Sequence, residues 1–455
     1  MSSSHHSRAP RHPRGRTAPR AGDGQPAKEG RPLPGFTRRR FVELAGGAAG
    51  LSALGACASA PQPMTPGVAG ARRGEAEQGL AARPRIQSGQ SFDPWLEIDG
   101  DAFRHNVREA ARLAGGRPIL AVVKNNGYGL GDRTLGPLLA GFPEVGGIAC
   151  VRVEEAVAMR GAGVTRPMMV MAEGSDDEIE ELVRHDVVPS VWLDDAPRRL
   201  DRVSQRLGKP VPVQLFVDTG MGREGMPYTR ARPWIEELVR HPSVDVRATY
   251  TMFSHDMDFD REQLARFEEM LAWAEGRRLS LGTIHASPTF ELFHLPEAHY
   301  DMVRPGNALF GNYPSGEGAQ DKADLKTVFR LRARVVRVER LEAGESAGFY
   351  RTFKADRPTW VALLPVGRTD GYPSSANGTC EVLIGGRLYP VTGGVNSAHT
   401  ILTIGDEKTV EVGDVATLIG PDHPAILPHT VAERTDVGFL RIIQGMNPRL
   451  PRRVV

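Results

Sequence analysis

From residue 95 onward the chain alternates two kinds of apolar spacing. Short, nearly continuous apolar runs occur at 118–123, 147–151, 168–172, 188–192, 211–217, 246–253, 283–286 and 301–303. Runs of that length predict strands buried on both faces. Between them, segments such as 153–161, 176–184, 233–240 and 260–276 carry apolar residues at helical spacing. Eight such alternations over about 210 residues predict a (β/α)8 barrel of the TIM type. Ahead of the barrel strands, WLEIDGDAFRHNVREAARLAG, from Trp95, reads as a short strand followed by an amphipathic helix. After Leu325 the period changes. LRARVVRVERL, WVALLPVG, CEVLIGGRLYPVTGG, HTILTIGD and DVATLIG are short alternating strands with Gly turns. The expected class is therefore α/β: a barrel over residues 93–325, then an all-β domain over 326–455.

The chain before residue 93 reads differently. Residues 1–36 are Ser, His, Arg, Pro and Gly with almost no apolar content, which predicts disorder. Thr37-Arg38-Arg39-Arg40-Phe41-Val42 follows, then a weakly apolar Ala/Gly run to Ala56. This order resembles a twin-arginine export signal. Leu54-Gly55-Ala56-Cys57 resembles a lipobox, whose cysteine becomes the lipid-bearing first residue after cleavage. The expectation is a signal over 1–57 and a Pro/Gly/Ala-rich tether over 58–92. The mature protein would be a periplasmic or cell-envelope lipoprotein, held to the membrane through a lipid on Cys57.

Composition adds exclusions. The 455 residues are 40% hydrophobic and 25% charged, with net charge +2. That is ordinary globular composition, long enough for two or three domains. The near-neutral balance argues against nucleic acid as a principal partner. No stretch reaches about 18 uninterrupted apolar residues, the length of an ordinary membrane-spanning helix. Cys57, Cys150 and Cys380 have no metal-ligand spacing and make no disulfide framework.

A barrel places its chemistry just beyond the carboxyl ends of its strands. Here Lys124 follows the first run, within AVVKNNGYGLG (121–131). Asp218 to Arg223 follow the fifth run, His255 the sixth, His285 to Thr289 the seventh and Arg304 the eighth. A lysine at the end of a buried strand either snorkels to the rim or, desolvated, becomes a nucleophilic amine. Two Arg, two His and a Lys on one rim call for counter-charge, and a phosphate supplies it.

AVVKNNGYGLG also resembles the pyridoxal 5'-phosphate (PLP) lysine motif of the alanine racemase family. VDTGMGREG (217–225) is similar to that family's DTGMGR motif, and residues 301–306 to its DMVRPG. The resemblance recurs in order from Trp95 to Arg452, and the order of barrel then β domain resembles the family fold. It implies PLP as cofactor and racemisation of alanine or a broader set of amino acids, by removal and return of the Cα proton. It also implies a small amino-acid substrate and a homodimer. Matched one at a time, Lys124 would be the Schiff-base lysine and a catalytic base. Tyr128 and Thr289 would bond the phosphate, with backbone N–H groups of Gly306 and Asn307. Arg223 would lie near the ring hydroxyl and the substrate. His255 would pack against the pyridine ring, with His285 behind it. Arg304 would face the ring nitrogen. A guanidinium keeps its proton, so the ring nitrogen stays largely unprotonated and proton return is favoured over long-lived carbanion chemistry.

The pattern breaks on the substrate side. The family's second base is a tyrosine from the partner's β domain. The matching stretch here is Ala347-Gly348-Phe349-Tyr350-Arg351-Thr352-Phe353. Phe349 falls on the catalytic position and cannot transfer a proton. Tyr350 comes one residue later, which on a strand is the opposite face, so it serves as base only if a bulge re-aims it. Arg368 replaces a usual tyrosine. Ser397 and Ala398 replace a Met-Asp or Met-Asn pair, and Arg368 and Ser397 are expected to face the substrate. Phe216 stands where many relatives have a lysine, often carbamylated, that helps fix the arginine matched by Arg223. A C-terminal phosphate-bonding tyrosine has no clear match; Phe439 is the nearest aromatic. Two other readings stay open: a one-base PLP enzyme of the same fold, of lyase or aldolase type, and a racemase-fold binding protein without catalysis.

Overall fold

The computed structural model describes residues 93–455. The export signal, Cys57 and the tether lie outside the described residues. The chain opens with β1 (Trp95–Ile98) and helix α1 (Gly100–Leu113). Asp99 starts that helix by accepting the Ala102 N–H at 2.9 Å, satisfying one of the donors every helix leaves free at its start.

Seven parallel strands follow in spatial order: β2 (Ile119–Val122), β3 (Val145–Cys150), β4 (Met168–Val170), β5 (Val188–Val191), β6 (Val211–Asp218), β7 (Val244–Tyr250) and β8 (Thr283–His285). Residues 302–303 close the ring. Met302 bridges His285, Val303 bridges Ile119, and the Leu120 N–H donates to the Val303 carbonyl at 2.8 Å. All eight apolar runs thus lie in one closed barrel. The reason is burial. Every residue of β2 is buried, and helices such as α2 (Asp132–Ala140) and α3 (Val153–Gly161) cover the outside. Each fully buried Val, Leu or Ile there contributes about 1.5–3 kcal/mol.

The β domain alternates in and out, as its sequence predicts. In β9 (Phe329–Arg334), Phe329, Leu331 and Ala333 point inward and the three arginines outward. The sheet also takes in the first strand of the chain. β1 pairs antiparallel with β9, Trp95 opposite Arg332, and parallel with Arg452–Val454. The first strand therefore does not belong to the barrel, although it precedes it in sequence. Its partners are more than 200 residues away, and short strands carry no mark of such distant pairing.

Candidate active site

A cavity of about 410 Å³ opens at the carboxyl ends of the barrel strands. Lys124, Tyr128, Arg223, His255, Thr289, Arg304, Gly306 and Asn307 all line it. Five stretches that follow barrel strands, far apart in sequence, thus bring the expected cofactor residues to one place.

Lys124 is the last extended residue before an unusual turn. Asn125, Asn126, Gly127 and Tyr128 have φ of 55°, 54°, 60° and 51°. They form one turn of left-handed helix, closed by the Tyr128 N–H donating to the Lys124 carbonyl at 2.7 Å. Left-handed backbone costs roughly 1–2 kcal/mol per residue with a Cβ, least for Gly and Asn, which accounts for the Asn-Asn-Gly composition. Glu155 holds the turn from below. It accepts the Asn126 N–H at 3.0 Å and the Val151 and Arg152 N–H groups at 3.1 Å. From above, the turn packs on helix Phe439–Gln444, where Gly129 meets the Ile443 backbone. Burial, followed by the charge of Arg223, pushes the Lys124 ammonium below the usual lysine range.

Tyr128 is buried with its ring 4.5 Å from Phe310, and desolvation pushes its phenol up, so it stays a neutral donor. Gly306 passes so close that a Cβ there would collide with the Tyr128 hydroxyl. Thr289 Oγ1 lies beside the same backbone, accepting the Gly306 and Ala308 N–H groups at 3.3 and 3.2 Å.

Arg304 sits on an aromatic column. Tyr250 is stacked between Phe216 at 4.4 Å and His285 at 5.0 Å. The Arg304 guanidinium lies 4.7 Å from the Tyr250 ring centre. Its Nη2 donates to the carbonyls of Thr251 at 2.6 Å and Ala286 at 3.2 Å, while its buried Nε has no partner. Burial pushes its pKa down to about 10, which leaves it cationic at neutral pH. The same burial pushes His285 well below the ordinary histidine range, and His285 pairs with Gln214 Oε1 at 2.9 Å. Phe216 therefore has a packing role in this column.

His255 has φ 64°, and its Nδ1 lies 2.9 Å from Oε1 of the fully buried Glu291. Arg223 is about half-exposed, and its one ion-pair partner among the described residues is the neighbouring Glu224 at 3.6 Å.

The β-domain candidates are elsewhere. Tyr350 is 98% exposed and Phe349 71% exposed. They occupy a tight turn between the paired segments Ser346–Ala347 and Phe353–Lys354, with Tyr350 at φ 56°. The stretch is not a strand, so the alternation argument for Tyr350 does not hold: both rings project from a hairpin tip. Gly348, at φ 84°, sets the turn, and a Cβ there would collide with the Gly393 carbonyl. Arg368 and Ser397 touch each other, Nη2 to Oγ at 3.3 Å, on the exposed rim of the β domain. None of Tyr350, Arg368 and Ser397 lines the cavity of its own chain. Phe439 stacks on His429 at 4.4 Å, and its neighbours Leu440 and Gln444 reach the cavity instead. Sequence reasoning missed Glu155, Glu224, Tyr250 and Glu291. Only Glu224 carried a signal, being joined to the Arg223 motif.

These residues fit a planar, phosphorylated pyridine. The unpartnered Arg304 Nε is a buried donor with no acceptor among the described residues. Gly306 leaves the Tyr128 hydroxyl open on the phosphate side. Lys124, Arg223 and Arg304 concentrate positive charge around one hole.

Barrel, lysine after the first barrel strand, and arginine after the last together define a barrel-type PLP enzyme. The chain belongs to the alanine racemase family, whose members use PLP: the alanine racemase N-terminal domain matches residues 98–314 and the C-terminal domain residues 328–454. It is 33% identical to the alanine racemase of Symbiobacterium thermophilum, covering 79% of this chain and 96% of that protein. It is 30% identical to that of Carboxydothermus hydrogenoformans, covering 79% and 98%. Among solved structures, alanine racemase from the D-cycloserine producer Streptomyces lavendulae superposes with a TM-score of 0.72 at 26% identity, covering 80% of this chain and 98% of the other.

Proposed function

We propose that this protein is a PLP-dependent isomerase that interconverts the L- and D-forms of a small amino acid, alanine or a broader set. The observation that carries the reading is the convergence of Lys124, Tyr128, Arg223, Thr289 and Arg304 on one cavity. When bound, the cofactor supplies a sink for the electron pair of the Cα–H bond. Lys124 would hold it and, with burial disfavouring its charged form, would serve as a base. Tyr128, Thr289 and the Gly306 backbone would hold the phosphate. Arg304 keeps its own proton and would not give one to the ring nitrogen. Arg223, which lines the cavity, would meet the substrate carboxylate.

The protein acts as a homodimer in this reading. Phe349 and Tyr350 are exposed, and in the dimer a second copy would cover them. The export reading joins the proposal: the folded, cofactor-loaded enzyme leaves by the twin-arginine route and is tethered through Cys57. Fatty-acid labelling that disappears in Cys57→Ala tests the tether.

The test of the reaction uses the mature, cofactor-loaded protein in heavy water with single L- and D-amino acids. NMR follows α-proton loss, and chiral analysis follows configuration. Exchange with inversion is expected. Phe349 favours one second reading, a one-base enzyme, which would give exchange with retention. No exchange with any amino acid would sink both.

A further inference from the structure

Inversion needs an acid or base on each side of Cα, and Phe349 offers none. Tyr350 projects beside it from the same hairpin tip, away from the cavity of its own chain. The cavity does contain a second group built for proton transfer. His255 follows β7, three places round the ring of eight from β2, so it stands across the barrel mouth from Lys124. Its Nδ1 is taken by the fully buried Glu291, its ring lines the cavity, and Nε2 has no partner among the described residues. A base oriented by a buried carboxylate is the arrangement of an enzymatic acid–base group. The backbone is fixed as well. The Ser254 N–H donates to Asp260 Oδ1 and Gln263 Oε1, both at 3.0 Å, and His255 keeps a strained φ of 64°. Such strain persists only where surrounding structure enforces it.

We infer that His255 is the second catalytic acid–base of the racemisation, supplied by the same chain as Lys124, and that Glu291 is its positioning residue. The assignment rests on the racemase reading. In one direction Lys124 Nζ takes the α-proton and leaves the bonding pair behind. The Nε2–H of His255 then delivers a proton to that pair from the other side. Lysine ends protonated and histidine neutral, and the reverse direction restores both. Three charged groups face His255: Glu291, Asp260 and Arg223. The hydrogen bond to Glu291 is the largest influence and raises the imidazole pKa, as does Asp260, while Arg223 opposes them.

The experiment compares the loaded wild type with His255→Asn and Tyr350→Phe in heavy water, each checked for the cofactor absorbance band. His255→Asn is expected to lose inversion by about 10²–10⁴-fold, the usual worth of a positioned acid–base. Exchange with retention, driven by Lys124, is expected to survive for one enantiomer. Inversion at the wild-type rate in His255→Asn, or its loss in Tyr350→Phe alone, overturns the assignment and leaves the racemase reading standing. Absence of inversion in the wild type itself overturns that reading, and the assignment with it. A second readout needs no turnover: imidazole NMR titration of the unloaded protein. Glu291→Gln is expected to lower the His255 midpoint by about one pH unit or more; an unmoved midpoint overturns the role given to Glu291.

Discussion

Gly306 shows how little room the phosphate side leaves. A methyl group there meets the Tyr128 hydroxyl, so Gly306→Ala is expected to weaken PLP binding at least about tenfold, equivalent to about 1.4 kcal/mol. Absorbance titration of the unloaded protein measures it, and unchanged affinity would show that the phosphate lies elsewhere. His255 gives a pH prediction with a definite sign. Its pKa is raised by Glu291, so the imidazolium persists to higher pH than for an ordinary histidine. In the direction where His255 donates, the rate falls as pH rises through that pKa. Glu291→Gln moves the fall to lower pH. Rates of L-to-D and D-to-L conversion across pH check both statements. Lys124, Arg223, His255 and Arg304 were legible in the sequence because each ends a strand run. Glu291 was not. Its helix is only six residues long, and nothing about a lone glutamate shows that it is buried against a histidine 36 positions earlier.

Among elements, the turn after Lys124 carries the most consequence. Its Asn and Gly residues announce a loop, but not a full left-handed turn clamped between Glu155 and the helix Phe439–Gln444. Gly129, at φ 89°, lies against the Ile443 backbone. Gly129→Ala is expected to cost about 1–3 kcal/mol from backbone strain alone, with the collision added. Urea unfolding measures the loss, and stability equal to wild type would refute the clamp. The hairpin at 346–354 teaches the converse. Alternation predicts side chains only where the backbone is extended, and three positive-φ residues, Gly348, Tyr350 and Arg351, take this stretch out of that regime. Local backbone geometry therefore puts Tyr350 on an exposed turn rather than on a strand face, while the segments on either side pair as short strands.

For the whole molecule, the exposed hairpin tip and the Arg368–Ser397 rim are surfaces a partner would cover. Sedimentation of residues 93–455 is expected to show a dimer. Replacing both Phe349 and Tyr350 with Asp is expected to weaken it by about 30-fold or more, since even one buried interface aromatic anchor is worth about 2 kcal/mol. A dimer unaffected by both changes would place the interface elsewhere. The sequence by itself determined the eight barrel strands, the change to a β domain and the residues at the strand ends, because burial and backbone pairing impose short-range periods that can be read locally. Only the tertiary structure decided that Trp95–Ile98 joins the distant β sheet, that Phe216 stacks on Tyr250, and that Glu291 holds His255. Those facts depend on which parts of the chain meet in space, and no local period records a meeting between residues tens to hundreds of positions apart.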